Sequence, residues 1–274
     1  MYPMNAKSIW LSVVLLLFVI PGIAAGVQRV VSLAPSITEN IYLIGAQSKL
    51  VGCTSYCTQA VNDGVDQVGS TIDVNIEKLF SLKPDLVLAL QLTKQQDIAA
   101  MEKLGIRVAT MKSPRNFAEI CEQTKYIAGL LGSFEQALEV LSPLEKRATE
   151  IQQLTKSLKP QKIFFQIGAS PIFTVLENTF MNDFITFCNG SNIAAGLTKG
   201  TMTRESVVMR NPDVIIIATM GGFGETEKEE WMNYKSVSAV QNCKVFLIDS
   251  ETSCSPTPQN FVSALEDVYR FLSE

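Results

Sequence analysis

Histidine is absent from all 274 residues. That removes the usual proton shuttle and the usual nitrogen ligand for zinc. Ser-His-Asp and Cys-His hydrolases are excluded with it, as is any histidine-ligated metal centre. A basic stripe is also lacking: 23 Lys and Arg are scattered against 27 Asp and Glu, for a net charge of −4. Nucleic acid is therefore not an expected partner. The phosphate-cradling and nucleophile-elbow patterns GxGxxG, GxxxxGK[ST] and GxSxG are missing. The apolar run Ile9 to Ile20, broken only by Ser12, falls short of the ~20 residues of a comfortable membrane span.

That run has another use. Lys7 precedes it, Pro21 and Gly22 end it, and the small residues Ala24, Ala25 and Gly26 follow. A charged start, a short apolar core and a small-residue site make a secretory signal peptide over residues 1–26. The competing reading is an uncleaved anchor. No cysteine lies near the cleavage site, so a lipid-modified N-terminal cysteine is not expected. The mature protein is expected in a periplasm.

The rest is rich in apolar residues, 47% of the whole chain, enough for two lobes of about 100–150 residues. Strand and helix patterns alternate. Arg29 to Leu33, Leu50 to Gly52, Asp85 to Leu90 and Ile106 to Ala109 read as strands. Ser36 or Thr38 can cap a helix that Gly45 stops. Phe117 to Leu131 reads as a helix ended by Gly132. Ser133 can cap a second helix, Phe134 to Leu158, which Pro143 should kink. Strands resume at Lys162 to Gln166, Val214 to Ala218 and Val245 to Ile248. The expected fold is α/β: two Rossmann-like α/β lobes, 27–132 and 160–274, joined by a single long helix over 133–159.

A repeat supports two matched lobes. Residues 75–89, NIEKLFSLKPDLVLA, align without a gap on residues 203–217, TRESVVMRNPDVIII. Glu77 meets Glu205, Pro84 meets Pro212 and Asp85 meets Asp213. Each copy reads as a short helix with an acid at its positive end, then a Pro-Asp turn into a buried strand. Glu77 and Glu205 are either plain helix-start acids or a two-point electrostatic dock for a basic partner.

The segments RVVSLAPSITENIYLIGAQSKLVGCTSYC, NIEKLFSLKPDLVLAL, KIFFQIGASPIFTV and NPDVIIIAT resemble substrate-binding proteins of ABC importers for cobalamin and ferric siderophores. The resemblance runs from about Arg29 to Leu272. It implies two lobes on one long helix, with ligand held between them. It also implies that Glu77 and Glu205 dock onto a membrane permease with its ATPase, and that the chain is a monomeric binding protein rather than an enzyme. No cofactor of its own is implied. The ligand would be a small-molecule metal chelate: a corrinoid, a ferric siderophore or a haem-like molecule.

Ligands sit outside the carboxyl ends of strands in open α/β sheets, which gives Pro35 and Ser36 as candidates from the first such loop. Tyr56 and Phe173 match aromatic cleft positions of the cobalamin binders, and Glu251 an acidic one. Thr71, Leu90 and Lys199 stand where those proteins carry tryptophan. Here Trp10 falls in the leader, and Trp231 is expected on a helix. The cleft thus loses aromatic area and gains a cation.

Six cysteines remain: 53, 57, 121, 188, 243 and 254. Cys53 and Cys57 are close enough in sequence for a disulfide. Together with Cys254 they form an alternative soft-metal or thiol-redox site, although redox pairs usually read CxxC. Cys121 reads as core. A Cys188–Cys243 bridge stays open.

Overall fold

The computed structural model describes residues 26–273. The expected leader, up to Ala25, lies outside the described residues. The N-terminal lobe runs β1 (Val30–Ser32), α1 (Pro35–Leu43), β2 (Leu50–Cys53), α2 (Thr58–Asn62), β3 (Asp66–Gln67), α3 (Ile76–Ser81), β4 (Leu86–Leu90), α4 (Gln95–Lys103) and β5 (Val108–Met111). Its strands pair in parallel in the order β3-β2-β1-β4-β5. Two helices follow, α5 (Phe117–Leu131) and α6 (Phe134–Thr155).

The C-terminal lobe runs β6 (Lys162–Ala169), β7 (Ile172–Thr174), α7 (Asn182–Phe187), β8 (Ser191–Asn192), β9 (Thr201–Met202), α8 (Arg204–Arg210), β10 (Val214–Ala218), α9 (Gly224–Met232), α10 (Ser238–Gln241), β11 (Val245–Ile248), α11 (Ser250–Cys254) and α12 (Pro258–Ser273). Its sheet has the order β11-β10-β6-β7-β9. β6, β10 and β11 are parallel, whereas β7 and β9 add antiparallel strands beyond β6. The central strands are apolar on both faces because helices cover both: every residue of β10, Val-Ile-Ile-Ile-Ala, is buried.

Several local expectations are corrected. The first helix starts at Pro35 with no side-chain cap. Proline suits a first helical position, where its missing N–H costs nothing. Ser36 and Thr38 therefore lie inside the helix, and the Thr38 hydroxyl donates to Ser32 Oγ at 2.8 Å, with Cys57 Sγ 3.1 Å from its oxygen. The strand expected from Ile106 begins at Val108, because Gly105, at φ +79°, still belongs to the turn. Ser133 precedes α6 without a cap hydrogen bond, and α6 runs as one helix through Pro143, ending at Thr155. Its 22 residues span roughly 33 Å at ~1.5 Å per residue.

The two lobes share a core. One apolar cluster takes in Val30 and Leu86 from the first sheet, Ile163 and Val214 from the second, and the inward faces of α5, α6, α7 and α12 between them. α12 leaves the second sheet and packs back on α5, α6 and α7. At the centre is Phe261, fully buried. Its ring stacks on Phe117 at 4.4 Å and lies 4.8 Å from Phe184 and 5.7 Å from Phe187. Beside it the Phe117 N–H donates to Asp183 at 2.8 Å, tying α5 to α7. The outer faces of the two sheets carry their own clusters. Trp231, in α9, is buried in the second of these, with its indole N–H donating to Gln166 at 2.7 Å.

Candidate functional site

The repeat is a repeat of structure as well as of letters. Asn75 caps α3 by accepting from the Lys78 N–H, and Thr203 caps α8 by accepting from the Ser206 N–H. Leu79 and Val207 are both fully buried. Lys83 and Asn211, each just before the proline, are left-handed at φ +47° and +45°. The carboxylates then staple the strands. Asp85 accepts from the Gln28 and Arg29 N–H groups at 2.9 Å, and Asp213 from the Lys162 N–H at 2.8 Å. These are the entries to β1 and β6, the strands beside β4 and β10.

Glu77 and Glu205 stand exposed in the first turns of α3 and α8. Both helices return antiparallel to the strands they feed, so both open at the edge where parallel strands end. The Glu205 carboxyl is held below the usual range by the helix-start N–H and then by the Thr203 hydroxyl.

A cavity of about 1090 Å³ opens between the lobes at that edge. It lies at the upper end of the ~300–1,000 Å³ of small-molecule sites. The first turn of α1 and the segment after β2 wall it on one side, and α11 and the start of α12 on the other. Of the expected ligand residues it brings together Pro35, Ser36, Tyr56 and Glu251, along with Cys57 and Cys254. Thr71, Leu90, Phe173 and Lys199 do not line it. Leu90 ends β4, Thr71 sits in the loop between β3 and α3, Phe173 is in β7, and Lys199 is exposed before β9. A smaller cavity, about 630 Å³, lies by the ends of β4 and β5, between Gln91, Lys112 and Gln123.

Large apolar side chains stand exposed on strand-end loops. Tyr56, Ile72 and Leu92, on loops beyond β2, β3 and β4, are 70%, 64% and 67% exposed, and Phe173 is 42% exposed in the hairpin after β6. Of these, Tyr56 lines the cavity, where a large exposed ring suits an apolar guest.

Cys53, Cys57 and Cys254 do not assemble as a metal centre. Among the described residues no three His, Cys, Asp or Glu side chains stand close enough to hold a metal ion. Cys53, at the end of β2, and Cys57 are both buried, and the residues Cys57 and Cys254 border the cavity from opposite lobes. All six cysteines are unpaired, so neither the Cys53–Cys57 nor the Cys188–Cys243 bridge is formed. Cys121 is core, its thiol pushed up to about 12 by burial.

Glu39, which sequence reasoning missed, links the lobes beneath the cavity. Its Oε2 accepts from Ser255 Oγ at 2.6 Å and Asn260 Nδ2 at 2.9 Å. Burial pushes its pKa up from 4.5, the Ser255 bond opposes this, and the charges of Cys57 and Glu251 add to the rise. The folded protein therefore binds a proton here more tightly than the unfolded chain. Stability from this site is full below pH 4.5 and falls as pH rises through the folded value. Glu39→Gln should remove that slope. Urea melts across pH should show the variant gaining on the parent as pH rises from 4.5, then levelling. A difference that does not change with pH would refute the assignment.

A vitamin B12-binding protein of Vibrio cholerae is 26% identical over 265 residues, 93% of this chain and 94% of its own length. An uncharacterised ABC transporter substrate-binding lipoprotein of Bacillus subtilis, YvrC, is 30% identical over 233 residues, 82% of this chain and 73% of the relative. The crystal structure of the periplasmic vitamin B12 binding protein BtuF of Vibrio cholerae superposes with a TM-score of 0.76 at 25% identity, over 90% of this chain and 97% of that one. The periplasmic heme-binding protein HutB of the same organism shares the fold, with a TM-score of 0.79 at 17% identity, over 90% and 99% of the two chains. Residues 30–252 match the family model described as periplasmic binding protein, and the chain belongs to that family.

Proposed function

We propose that this chain is the substrate-binding component of an ABC importer. It captures a metal chelate of the corrinoid, ferric-siderophore or haem class outside the cytoplasm and hands it to a membrane permease with its ATPase. One observation carries the reading: a cavity of about 1090 Å³ between the strand-end edges of two matched lobes, in a chain of the periplasmic binding protein family. The volume suits a macrocycle or folded chelator better than an amino acid or a simple sugar. Tyr56, at the cavity wall, would supply a face for a flat guest where the cobalamin binders use tryptophan, and the exposed Ile72, Leu92 and Phe173 on strand-end loops would extend it. Pro35, Ser36 and Glu251 would position its polar edge, with Thr71, Leu90 and Lys199 further out.

Glu77 and Glu205 would meet basic residues of the permease, one per lobe. Export through the segment 1–26 and action as a monomer belong to the same reading. Among the described residues no helix is long and apolar enough to cross a membrane. The test is to purify the protein from its native host and read any bound molecule by absorbance and mass spectrometry. Cobalamin, cobinamide, haem and ferric siderophores are then titrated in turn. A metal chelate should co-purify or saturate the cleft at one per chain. Flat isotherms for all four classes and a metal-free bound molecule would overturn the proposal.

A further inference from the structure

We propose that the cleft selects its guest by charge: it takes a chelate whose edge carries amide or ammonium groups and turns away one whose edge carries carboxylates or other anions. The inference rests on the proposed function and narrows the class of guest.

Four carboxylates wall the cavity between the lobes and, among the described residues, no lysine or arginine does. Glu39 and Asp63 come from the N-terminal lobe, Asp249 and Glu251 from the C-terminal lobe, so each wall carries two. The ion pairs among the described residues lie elsewhere. The partners these acids do have are neutral. Glu39 Oε2 accepts from Ser255 Oγ and Asn260 Nδ2, Asp63 Oδ2 from the Tyr42 hydroxyl, and Asp249 Oδ2 from the Thr252 N–H and hydroxyl. Such donors hold a carboxylate in place and leave its charge. The two walls also feel each other, since the charge of Glu251 adds to the rise of the Glu39 pKa.

The basic groups at the strand ends are placed away from this cavity. Lys199, the cation expected in the cleft, is exposed before β9 and does not line it. Lys112 and Arg115 border the smaller cavity, where Arg115 is bound to Glu119 at 2.6 Å. The positive end of α1 does face the larger cavity, but it amounts to roughly half a charge. Asp63, Asp249 and Glu251 are exposed, so solvent screens them. A guest that fills the cavity displaces that solvent, and repulsion grows as the local dielectric falls. An anionic edge then meets like charge on both walls with no protein cation to offset it. An amide N–H or an ammonium instead donates charge-assisted hydrogen bonds to the same oxygens.

Three matched pairs of probes keep the chelate and change its edge: cyanocobalamin and its monocarboxylic acid, hemin dimethyl ester and hemin, ferrioxamine B and its N-succinyl derivative. Each is titrated into the purified protein and followed by absorbance and calorimetry. In every pair that binds, the less negative member should bind about 10-fold or more tightly than the other, and added salt should narrow the gap. Asp63→Asn combined with Glu251→Gln should narrow it too, chiefly by strengthening the anionic member, whereas a purely structural effect would move both members alike. Equal affinities within a pair, tighter binding of the anionic member, or a gap indifferent to both salt and the double variant overturns selection by charge and leaves the proposed function standing. Failure of every probe, with a metal-free molecule bound to the native protein, overturns both.

Discussion

Phe261→Ala should lower the free energy of unfolding by about 3–5 kcal/mol, the range for truncating a buried aromatic ring. The upper half is expected for two reasons. The ring is fully buried, and it meets three other phenylalanines on two different helices, within 4.4–5.7 Å. The cavity left behind would have walls on α5, α7 and α12 that cannot all collapse together. Because the site lies between the sheets, the loss should appear in both lobes at once. Urea unfolding followed by far-UV circular dichroism and by the buried Trp231 should shift to a lower midpoint with the two probes still coincident. Phe261→Leu should recover more than half of the loss. A loss below about 1.5 kcal/mol for the alanine variant would show that the shared core is not what joins the lobes.

Reversing both outer carboxylates, Glu77→Arg with Glu205→Arg, should cut ligand uptake at least about 100-fold while the dissociation constant of the ligand changes less than about twofold. Like charges forced together at an interface cost several kcal/mol, and here two such contacts would be made at once. Both residues are exposed at helix starts, away from the cavity walls, so folding and capture should be spared. Each single variant should fall between the parent and the double. Glu139→Arg, the same charge change on the exposed side of α6, should transport normally. Uptake that survives the double variant, measured in cells or vesicles carrying the cognate permease, would remove the two-point dock.

The architecture was legible wherever one physical signal dominated. Val214 to Ala218 is apolar without interruption, and only a strand covered on both faces wants that. Phe117 to Leu131 carries a helical stripe ended by a glycine that the structure places at φ +70°. The repeat survived in full: Asn75 and Thr203 cap their helices, Lys83 and Asn211 turn left-handed before the prolines, and Asp85 and Asp213 staple the neighbouring strands. What stayed hidden was settled by partners distant in sequence. Thr38 looked like a cap, but its hydroxyl lies 3.1 Å from the sulfur of Cys57, 19 residues away. Glu39 looked like one more surface acid, but its partners lie 216 and 221 residues on. β7 and β9 have three and two residues, too few for an alternating pattern to show. Within the site, residues whose chemistry is distinctive in a loop, Tyr56, Cys57 and Glu251, were found. Thr71 and Leu90 came from the resemblance alone, Phe173 and Lys199 from their strand-end loops as well, and the structure brings none of the four to the cavity wall.

The helix α12 crosses beneath the cleft and seals both sheets into one apolar interior, so prying the halves apart would wet that seam. Under the proposed function, a permease would therefore meet loaded and empty molecules of almost the same outline. It gains little discrimination from silhouette and must sense cargo through the rim itself.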